Sequence, residues 1–336
     1  MEMNLAIHPN GALFDGEPRL PTLPACEHFA GSQKLIEKAF ALQAEYGPVF
    51  DITCDCEDGA TSGQEPAHAS LLGKLIASSA NPFQMAGARV HDPDHAHCLA
   101  DIDILLEHAG DRIAYLTIPK TTSADKIERV IEHVVARSIK LGLKRTIPIH
   151  ALIETHGALA DVARIAALPG IQVLDFGLMD FVSAHHGAIP ASAMHSPGQF
   201  EHRLLSRAKA EVVAAALANG VVPAHNVCLN LKDSAHVLSD ATRARQEFGF
   251  LRMWSIHPAQ IRPILQAFQP SYEEIELASE ILVSAQKAQW GPIQFRGELH
   301  DRATYRYYWY LLQRAHNVGV LVPPAALAAF FRDAAA

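Results

Sequence analysis

Two apolar runs of the chain each end in a carboxylate, and this pairing suggests metal chemistry. TIPIHALIET (146–155) carries Glu154 at the end of a predicted buried strand, and IQVLDFGLMD (171–180) ends at Asp180. Two carboxylates about 4 Å apart repel by roughly 4 kcal/mol at an effective dielectric constant near 20. A divalent cation with oxygen ligands would offset that repulsion. Mg²⁺ fits this role better than Zn²⁺, because the sequence shows no Cys or His pair at zinc-ligand spacing.

Other charged residues also stand at the ends of predicted strands. They are Glu57, Asp58, Arg89, Lys120 and His257. A single acid at a strand end is more often a solvated loop residue or a helix cap than a ligand. Several acids at one edge with an arginine beside them favour a functional site.

Alternating strands and helices must position these residues. Eight predicted strands lie in RLPTLPA, PVFDITCDCE, MAGARVHD, IAYLTIPK, TIPIHALIE, VLDFGLMD, NVCLNL and LRMWSI. Amphipathic helical stretches separate them at a spacing of roughly thirty residues, which favours a parallel sheet. Eight such units predict a closed (β/α)8 TIM barrel, whose active site lies where the strands end. No GxGxxG or GxxxxGK[ST] motif opens a helix, so nucleotide-binding folds lose their main support.

Composition limits the partners. The chain has 336 residues, 49% of them hydrophobic and 19% charged, with a net charge of -8. No basic surface suggests nucleic acid. No secretory signal opens the chain, and its longest apolar tract is too short and too rich in proline to cross a bilayer. We therefore expect a cytoplasmic protein without membrane contact. The five cysteines form no CxxC pair, and Cys54 and Cys56 are expected to pack.

Several motifs carry a family resemblance. DCEDGA resembles a DLEDAV segment, ARVHD a VRIN segment, ALIET and FGLMD the ALIET and FGxxD segments, and WSIHPAQI an IHPxQ segment. These segments are typical of the citrate lyase beta subunit-like, or HpcH/HpaI aldolase, superfamily. The match runs in order from about residue 24 to 290. RGELHDRATYRYYWYLLQRA resembles the carboxy-terminal segment of malyl-CoA and citramalyl-CoA lyases.

The resemblance implies an architecture and a metal. A TIM-barrel catalytic domain would span residues 1–290, and a helical extension, 291–336, would cover a neighbouring subunit in a homotrimer or hexamer. The ion would be Mg²⁺ or Mn²⁺, held by Glu154 and Asp180.

The resemblance also assigns roles in making or breaking a carbon–carbon bond. Glu57 and Asp58 would orient water around the ion, and Arg89 would hold a carboxylate or carbonyl oxygen of the substrate. Asp301 would reach a neighbouring subunit's site and move a proton.

Some residues depart from the family pattern. His91 and Asp92 stand where the family has Asn after VRI, and the familiar RSxLFVPG strand is missing. The use of a CoA thioester is therefore open. The loop after Asp180 is rich in histidine, with His185, His186 and His195, so the proton carrier is either Asp301 or a loop histidine.

The predicted function is a Mg²⁺-dependent lyase that cleaves or forms a 3-hydroxyacyl-CoA such as malyl-CoA or citramalyl-CoA, with a 2-oxo acid and an acyl-CoA as partners. One alternative is a metal-dependent aldolase that acts on free 2-oxo acids without CoA. The other is a barrel that binds a small acid without turnover. Two further features read as structural: His257 precedes a helix-starting proline, and the aromatic run 305–312 has the spacing of a packed helix face.

Overall fold

Eight parallel strands close into a barrel in the computed structural model, which describes residues 7–14, 16, 20–59 and 63–331. The strands are β1 (Cys26–Ala30), β2 (Phe50–Asp55), β3 (Ala86–Arg89), β4 (Leu116–Ile118), β5 (Ile149–Ile153), β6 (Ile171–Phe176), β7 (Val222–His225) and β8 (Arg252–Ser255). β8 pairs with β1, which closes the ring. The predicted (β/α)8 barrel is confirmed.

Helices alternate with these strands. They are α1 (Pro9–Phe14), α2 (Gln33–Tyr46), α3 (Glu65–Ala77), α4 (Cys98–Ala109), α5 (Ala124–Leu141), α6 (His156–Ala160), α7 (Val162–Ala166), α8 (Leu178–Ser183), α9 (Gly198–Glu201), α10 (Arg203–Ala218), α11 (Ser234–Arg243), α12 (Pro258–Phe268), α13 (Tyr272–Lys287), α14 (Arg302–Asn317) and α15 (Pro324–Ala326). Local chemistry sets several ends. The Ser32 hydroxyl accepts from the third residue of α2, and Gly142 stops α5 in a left-handed conformation.

Three predicted strand positions were wrong. The first strand is β1 and not RLPTLPA, whose Leu20–Ala25 part precedes it; Arg19 lies outside the described residues. The seventh is β7, and the predicted NVCLNL segment is a loop behind it. Asp180 does not end a strand, because β6 stops at Phe176 and Asp180 lies in the first turn of α8. Proline is usually excluded from strand interiors. The two prolines of RLPTLPA agree with this rule, whereas Pro223 lies inside β7.

Contacts divide the chain into two compact units, one of them Leu23–Phe268 with the barrel. The other joins the described parts of Met1–Thr22 and Gln269–Ala336, and it contains α1, α13, α14, α15 and the hairpin β9 (Ile293–Phe295) and β10 (Glu298–His300). Its core combines aliphatic side chains with aromatic ones, and Tyr305 and Trp309 on α14 are almost fully buried. The helix face with Tyr305 and Trp309 therefore packs, as its spacing predicts, whereas Tyr307 is exposed.

Burial of the cysteines agrees with the sequence expectation. All five are free and buried, and Cys54 belongs to the main hydrophobic core.

Over the described residues, none of the helices combines the length and apolar character that a membrane crossing requires.

The barrel interior is filled partly by charge, although branched apolar side chains dominate most such barrels. Nη2 of Arg252 lies 2.6 Å from Oδ2 of Asp51 and 3.3 Å from Oε2 of Glu27, and all three residues are buried. Burial would raise the pKa of Glu27, but Arg252 and His150 outweigh it and lower that pKa. Removal of Arg252 would leave two buried carboxylates without their counter-charge.

A lysine of α10, Lys209, is buried against the barrel. Nζ of Lys209 lies 2.7 Å from Nε2 of His225 and 4.3 Å from the ring centre of Phe200. Burial lowers the pKa of Lys209 well below 10.5, and burial with Lys209 nearby lowers that of His225. Folding therefore disfavours the charged form of both groups.

The lowered pKa of Lys209 predicts a pH-dependent stability. Above the lowered folded pKa, the unfolded chain still binds a proton at Lys209 that the folded chain has lost, so wild-type stability rises with pH up to about 10.5. Lys209→Met removes this contribution. The stability of wild type relative to Lys209→Met should therefore increase by up to about 1.4 kcal/mol per pH unit in that window. Denaturant titrations of both proteins at several pH values between 7 and 9.5 measure it, and a constant difference would contradict the assignment.

Candidate active site

An arginine fork begins the site at the carboxyl ends of β2 and β3. Asp55 and Arg89 are register partners on these neighbouring strands. Nε and Nη2 of Arg89 donate to the two oxygens of Asp55, at 2.8 and 2.6 Å, and the backbone N–H groups of Glu57 and Gly59 donate to the same carboxylate. Burial would raise the pKa of Asp55, but these donors lower it below its usual value. Asp55 is thus an anion that fixes the guanidinium plane.

Glu57 and Asp58 stand beside this fork and share a lysine. Nζ of Lys120 lies 2.6 Å from Oε1 of Glu57 and 2.9 Å from both oxygens of Asp58. Nη1 of Arg89 lies 3.1 Å from Oε2 of Glu57, but within the described residues no aligned hydrogen bond reaches that oxygen. Burial raises the pKa of Glu57, although Arg89 and Lys120 oppose the shift. Glu57 therefore has a buried oxygen with remaining acceptor capacity.

Lys120 connects the same corner to Glu154. Its backbone has φ of 47°, a left-handed conformation that is uncommon outside glycine and frequent at functional sites. In this conformation its N–H donates to Oε1 of Glu154 at 2.7 Å while its side chain reaches Glu57 and Asp58. One residue therefore holds three carboxylates.

Glu154 is the most perturbed acid of the site. It directly follows β5 and is 2% exposed. Burial, and next the charge of Asp180, raise its pKa to about 8. A Cβ at position 177 would lie 2.2 Å from Oε2 of Glu154, so glycine is needed there to make room for the carboxylate. Asp180 is half-buried and lies three residues after Gly177, in the first turn of α8.

We define the mouth cluster as the charged side chains that interact at this end of the barrel: Asp55, Glu57, Asp58, Arg89, Lys120, Glu154 and Asp180. Five carboxylates face two cations, so the cluster has an excess of negative charge. Its donors are oxygens, the ligands that Mg²⁺ prefers. The raised pKa of Glu154 and the buried Oε2 of Glu57, which accepts no aligned hydrogen bond within the described residues, both fit a divalent cation.

The structure brings five of the six sequence-predicted site residues into this cluster. The sixth, Asp301, lies in the other unit, where its carboxylate accepts from the Ala303 N–H at 3.0 Å and caps α14. Asp55 was missed, although its place as the last residue of β2 was a usable signal. Lys120 was named without a role, because its left-handed backbone cannot be read from the sequence.

The histidines have other partners. Nδ1 of His91 lies 2.6 Å from Oδ2 of Asp101, and this pair is buried on the α4 side. Nδ1 of His185 contacts the Phe181 carbonyl, one turn earlier in the chain. His257 precedes Pro258, the first residue of α12, so its position at a helix start is confirmed.

Comparison with known families gives one match over most of the barrel. The family model described as HpcH/HpaI aldolase/citrate lyase matches residues 32–258. The L-malyl-CoA/beta-methylmalyl-CoA lyase of Rhodobacter capsulatus is 26% identical over 310 residues, which cover 87% of this chain and 95% of that protein.

Solved structures with a similar sequence or fold agree with this family match. The crystal structure of a citrate lyase from Burkholderia xenovorans is 51% identical, has a TM-score of 0.86, and covers 96% of this chain and 100% of its own. Protein CitE of Mycobacterium tuberculosis, in complex with magnesium, acetoacetate and coenzyme A, is 22% identical with a TM-score of 0.67, over 88% of this chain and 99% of its own. The second likeness bears on the fold alone.

Proposed function

We propose, from the premise that this chain belongs to the HpcH/HpaI aldolase/citrate lyase family, that it is a Mg²⁺-dependent lyase that cleaves or forms a 3-hydroxyacyl-CoA. The matching family model and the similar malyl-CoA lyase indicate that the protein is a lyase. The proposed part is the substrate, a compound such as malyl-CoA or citramalyl-CoA that yields an acyl-CoA and a 2-oxo acid. The observation that carries the proposal is the mouth cluster, with five carboxylates against two cations.

Glu154 and Asp180 would hold the ion. Without a cation, Glu154 keeps its proton near neutral pH, because its pKa is about 8. Mg²⁺ would supply the missing positive charge and act as a Lewis acid on the oxo group of the 2-oxo acid. The side chain of Lys120 holds Glu57 and Asp58 in place. These two carboxylates would orient water that completes the coordination shell of the ion.

Arg89 would stabilise charge that develops on the substrate. In cleavage, the bond between the hydroxyl-bearing carbon and the carbon next to the thioester breaks, and its electron pair passes to the thioester oxygen. Asp55 uses the Nε–H and one Nη2–H of Arg89 and so aims the remaining N–H groups. Donors held in place before the reaction stabilise such an oxygen more than mobile ones do.

To give the acyl-CoA, the carbon next to the thioester must finally gain a proton, and before that a base must take the hydroxyl proton as the bond breaks. We propose Asp301 of a neighbouring subunit for this step, in a homotrimer or hexamer, with a loop histidine such as His185 as the alternative. Asp301 is exposed and lies in the unit that does not contain the mouth cluster.

A relative that acts on CoA esters, the Rhodobacter capsulatus lyase, covers 87% of this chain and supports the thioester substrate. We place the enzyme in the cytoplasm.

A substrate comparison tests the proposal. Malyl-CoA, citramalyl-CoA and free 4-hydroxy-2-oxo acids are each incubated with the enzyme, once with Mg²⁺ and once with EDTA. Release of the 2-oxo acid and of acyl-CoA is followed separately from release of free CoA. We expect Mg²⁺-dependent cleavage of a thioester. Activity on free acids alone would select the aldolase, and binding without turnover would select the non-catalytic barrel.

Arg89→Lys tests the arginine. Lysine keeps the positive charge but cannot donate to Asp55 through two parallel N–H groups. We expect kcat to fall about a hundredfold or more, as for loss of a fixed oxyanion donor, with Mg²⁺ affinity little changed. Steady-state kinetics and calorimetric titration measure the two quantities. A matched control, Arg207→Lys, changes an exposed arginine paired with Glu211 and should leave both unchanged. A normal kcat in Arg89→Lys would refute the role.

A further inference from the structure

Two groups of three metal-binding side chains occur in the described part of the chain, and both lie outside the mouth cluster. Glu27, His150 and Asp175 form one inside the barrel, where Arg252 already lies 3.3 Å from Glu27 and supplies a positive charge. Cys228, His236 and Asp240 form the other. In the second group, Asp240 forms an ion pair with His236 and interacts electrostatically with Lys209 and Arg243.

The second group has the spacing of a metal site. Cys228 lies in the loop after β7, and His236 and Asp240 are one turn apart on the same face of α11. One ligand atom of each residue lies within 4.8 Å of the other two, and Nε2 of His236 is 3.6 Å from Oδ2 of Asp240. Ligand atoms around tetrahedral zinc, at bond lengths of about 2.0–2.3 Å, are roughly 3.3–3.8 Å apart. Small side-chain movements would suffice.

Buried groups outside the trio hold Asp240 in position. Asp240 is 1% exposed, and among the ion pairs of the described residues its partner is His236. The Ser196 hydroxyl donates to Oδ1, and Nε2 of Gln199 donates to Oδ2 at 2.9 Å. Gln199 is itself 2% exposed and accepts from Asn226 at 3.0 Å. A carboxylate oriented by such a network is typical of metal ligands and their outer shell.

We propose that Cys228, His236 and Asp240 bind a borderline divalent cation such as Zn²⁺, at a site distinct from the proposed Mg²⁺ site. Thiolate, imidazole and carboxylate suit zinc, whereas Mg²⁺ prefers oxygen ligands alone. The His236 side chain is 34% exposed, so the ion enters from the surface and solvent supplies the fourth ligand. The bound ion ties the loop after β7 and α11 to the segment around Ser196, which leads into α10.

Metal binding must displace one proton. Burial raises the pKa of Cys228 to about 12, so its thiol is protonated in the metal-free protein. As the metal–sulfur bond forms, the thiol proton passes to solvent. Sequence spacing does not reveal this site, because Cys228 and His236 do not have the short spacing of a zinc motif.

Cobalt provides a test on the full-length protein. Protein stripped of transition-metal ions is kept in excess Mg²⁺ and titrated with Co²⁺. The near-ultraviolet absorption that arises from thiolate-to-cobalt charge transfer is recorded. We expect a band that saturates at one Co²⁺ per chain and disappears when Zn²⁺ is added. Cys228→Ser should lack the band, while Cys98→Ser, a change at another buried cysteine, should keep it.

His236→Ala protects the test against misfolding, because this side chain is partly exposed. We expect it to weaken Co²⁺ binding at least about tenfold, whereas His133→Ala on α5 should bind normally. Absence of the band in wild type, its survival in Cys228→Ser, or unchanged affinity in His236→Ala would overturn the proposal. Glu154→Gln should keep the band, so failure of the lyase proposal is distinguishable from failure of this one.

Discussion

Glu154→Gln is expected to abolish calorimetrically detectable Mg²⁺ binding and to reduce turnover by at least about a hundredfold, more than the loss of an outer-shell group commonly costs. The amide oxygen can still accept from the Lys120 N–H, which donates to Glu154 at 2.7 Å, so local geometry should survive. What disappears is the ability of the side chain to ionise when the ion binds. Asp180→Asn should also abolish Mg²⁺ binding, because Asp180 is the other proposed ligand.

Thermal unfolding gives an independent readout of the same change. Glu154 is buried and, with a pKa of about 8, holds a proton in the metal-free protein near neutral pH, so Glu154→Gln should be about as stable as wild type without Mg²⁺. Added Mg²⁺ should raise the melting temperature of wild type by mass action and not that of Glu154→Gln. Glu132→Gln, on the exposed side of α5, is the matched control. Full-strength Mg²⁺ binding in Glu154→Gln would remove this residue from the ligand set.

Asp301→Asn is expected to lower turnover by about 10²–10⁴-fold, the usual contribution of a general acid or base, with Mg²⁺ binding intact. Asparagine caps helices as well as aspartate does, so α14 should keep its first turn. Kinetics measured beside calorimetry separates loss of the base from loss of the metal. Unchanged turnover would refute the role and leave the loop histidines, His185 first, as the candidates.

A mixing experiment tests whether Asp301 acts on a neighbouring subunit. Asp301→Asn and Glu154→Gln are each expected to be nearly inactive alone. After dissociation and reassembly together, some sites would combine an intact Glu154 from one chain with an intact Asp301 from another. Partial recovery of turnover is the expected result. No recovery, with subunit exchange verified by differently tagged chains, would place both residues of an active site in the same chain.

Local pattern predicted most of the architecture. The strand periodicity around TIPIHALI located β5, and the strand-end position of Glu154 followed from it. The local pattern did not locate β1 and β7, whose sequences are atypical of strands. VPAH forms β7 despite Pro223, and CEHFA forms β1 although Glu27 and His28 point to a polar segment. Glu27 is tolerated in the barrel because Arg252, far away in the sequence, lies 3.3 Å from it.

By itself, the sequence determined that a parallel (β/α)8 barrel would collect acids at the carboxyl ends of its strands, because hydrophobic periodicity and strand polarity are local properties. Only the tertiary structure decided which charges meet. The Asp55–Arg89 fork depends on the register between β2 and β3, and the contact of Lys120 with three carboxylates depends on one left-handed backbone angle. The grouping of Cys228 with His236 and Asp240 depends on how α11 packs after β7. Register, backbone angle and packing arise from contacts between distant segments, which no local pattern records.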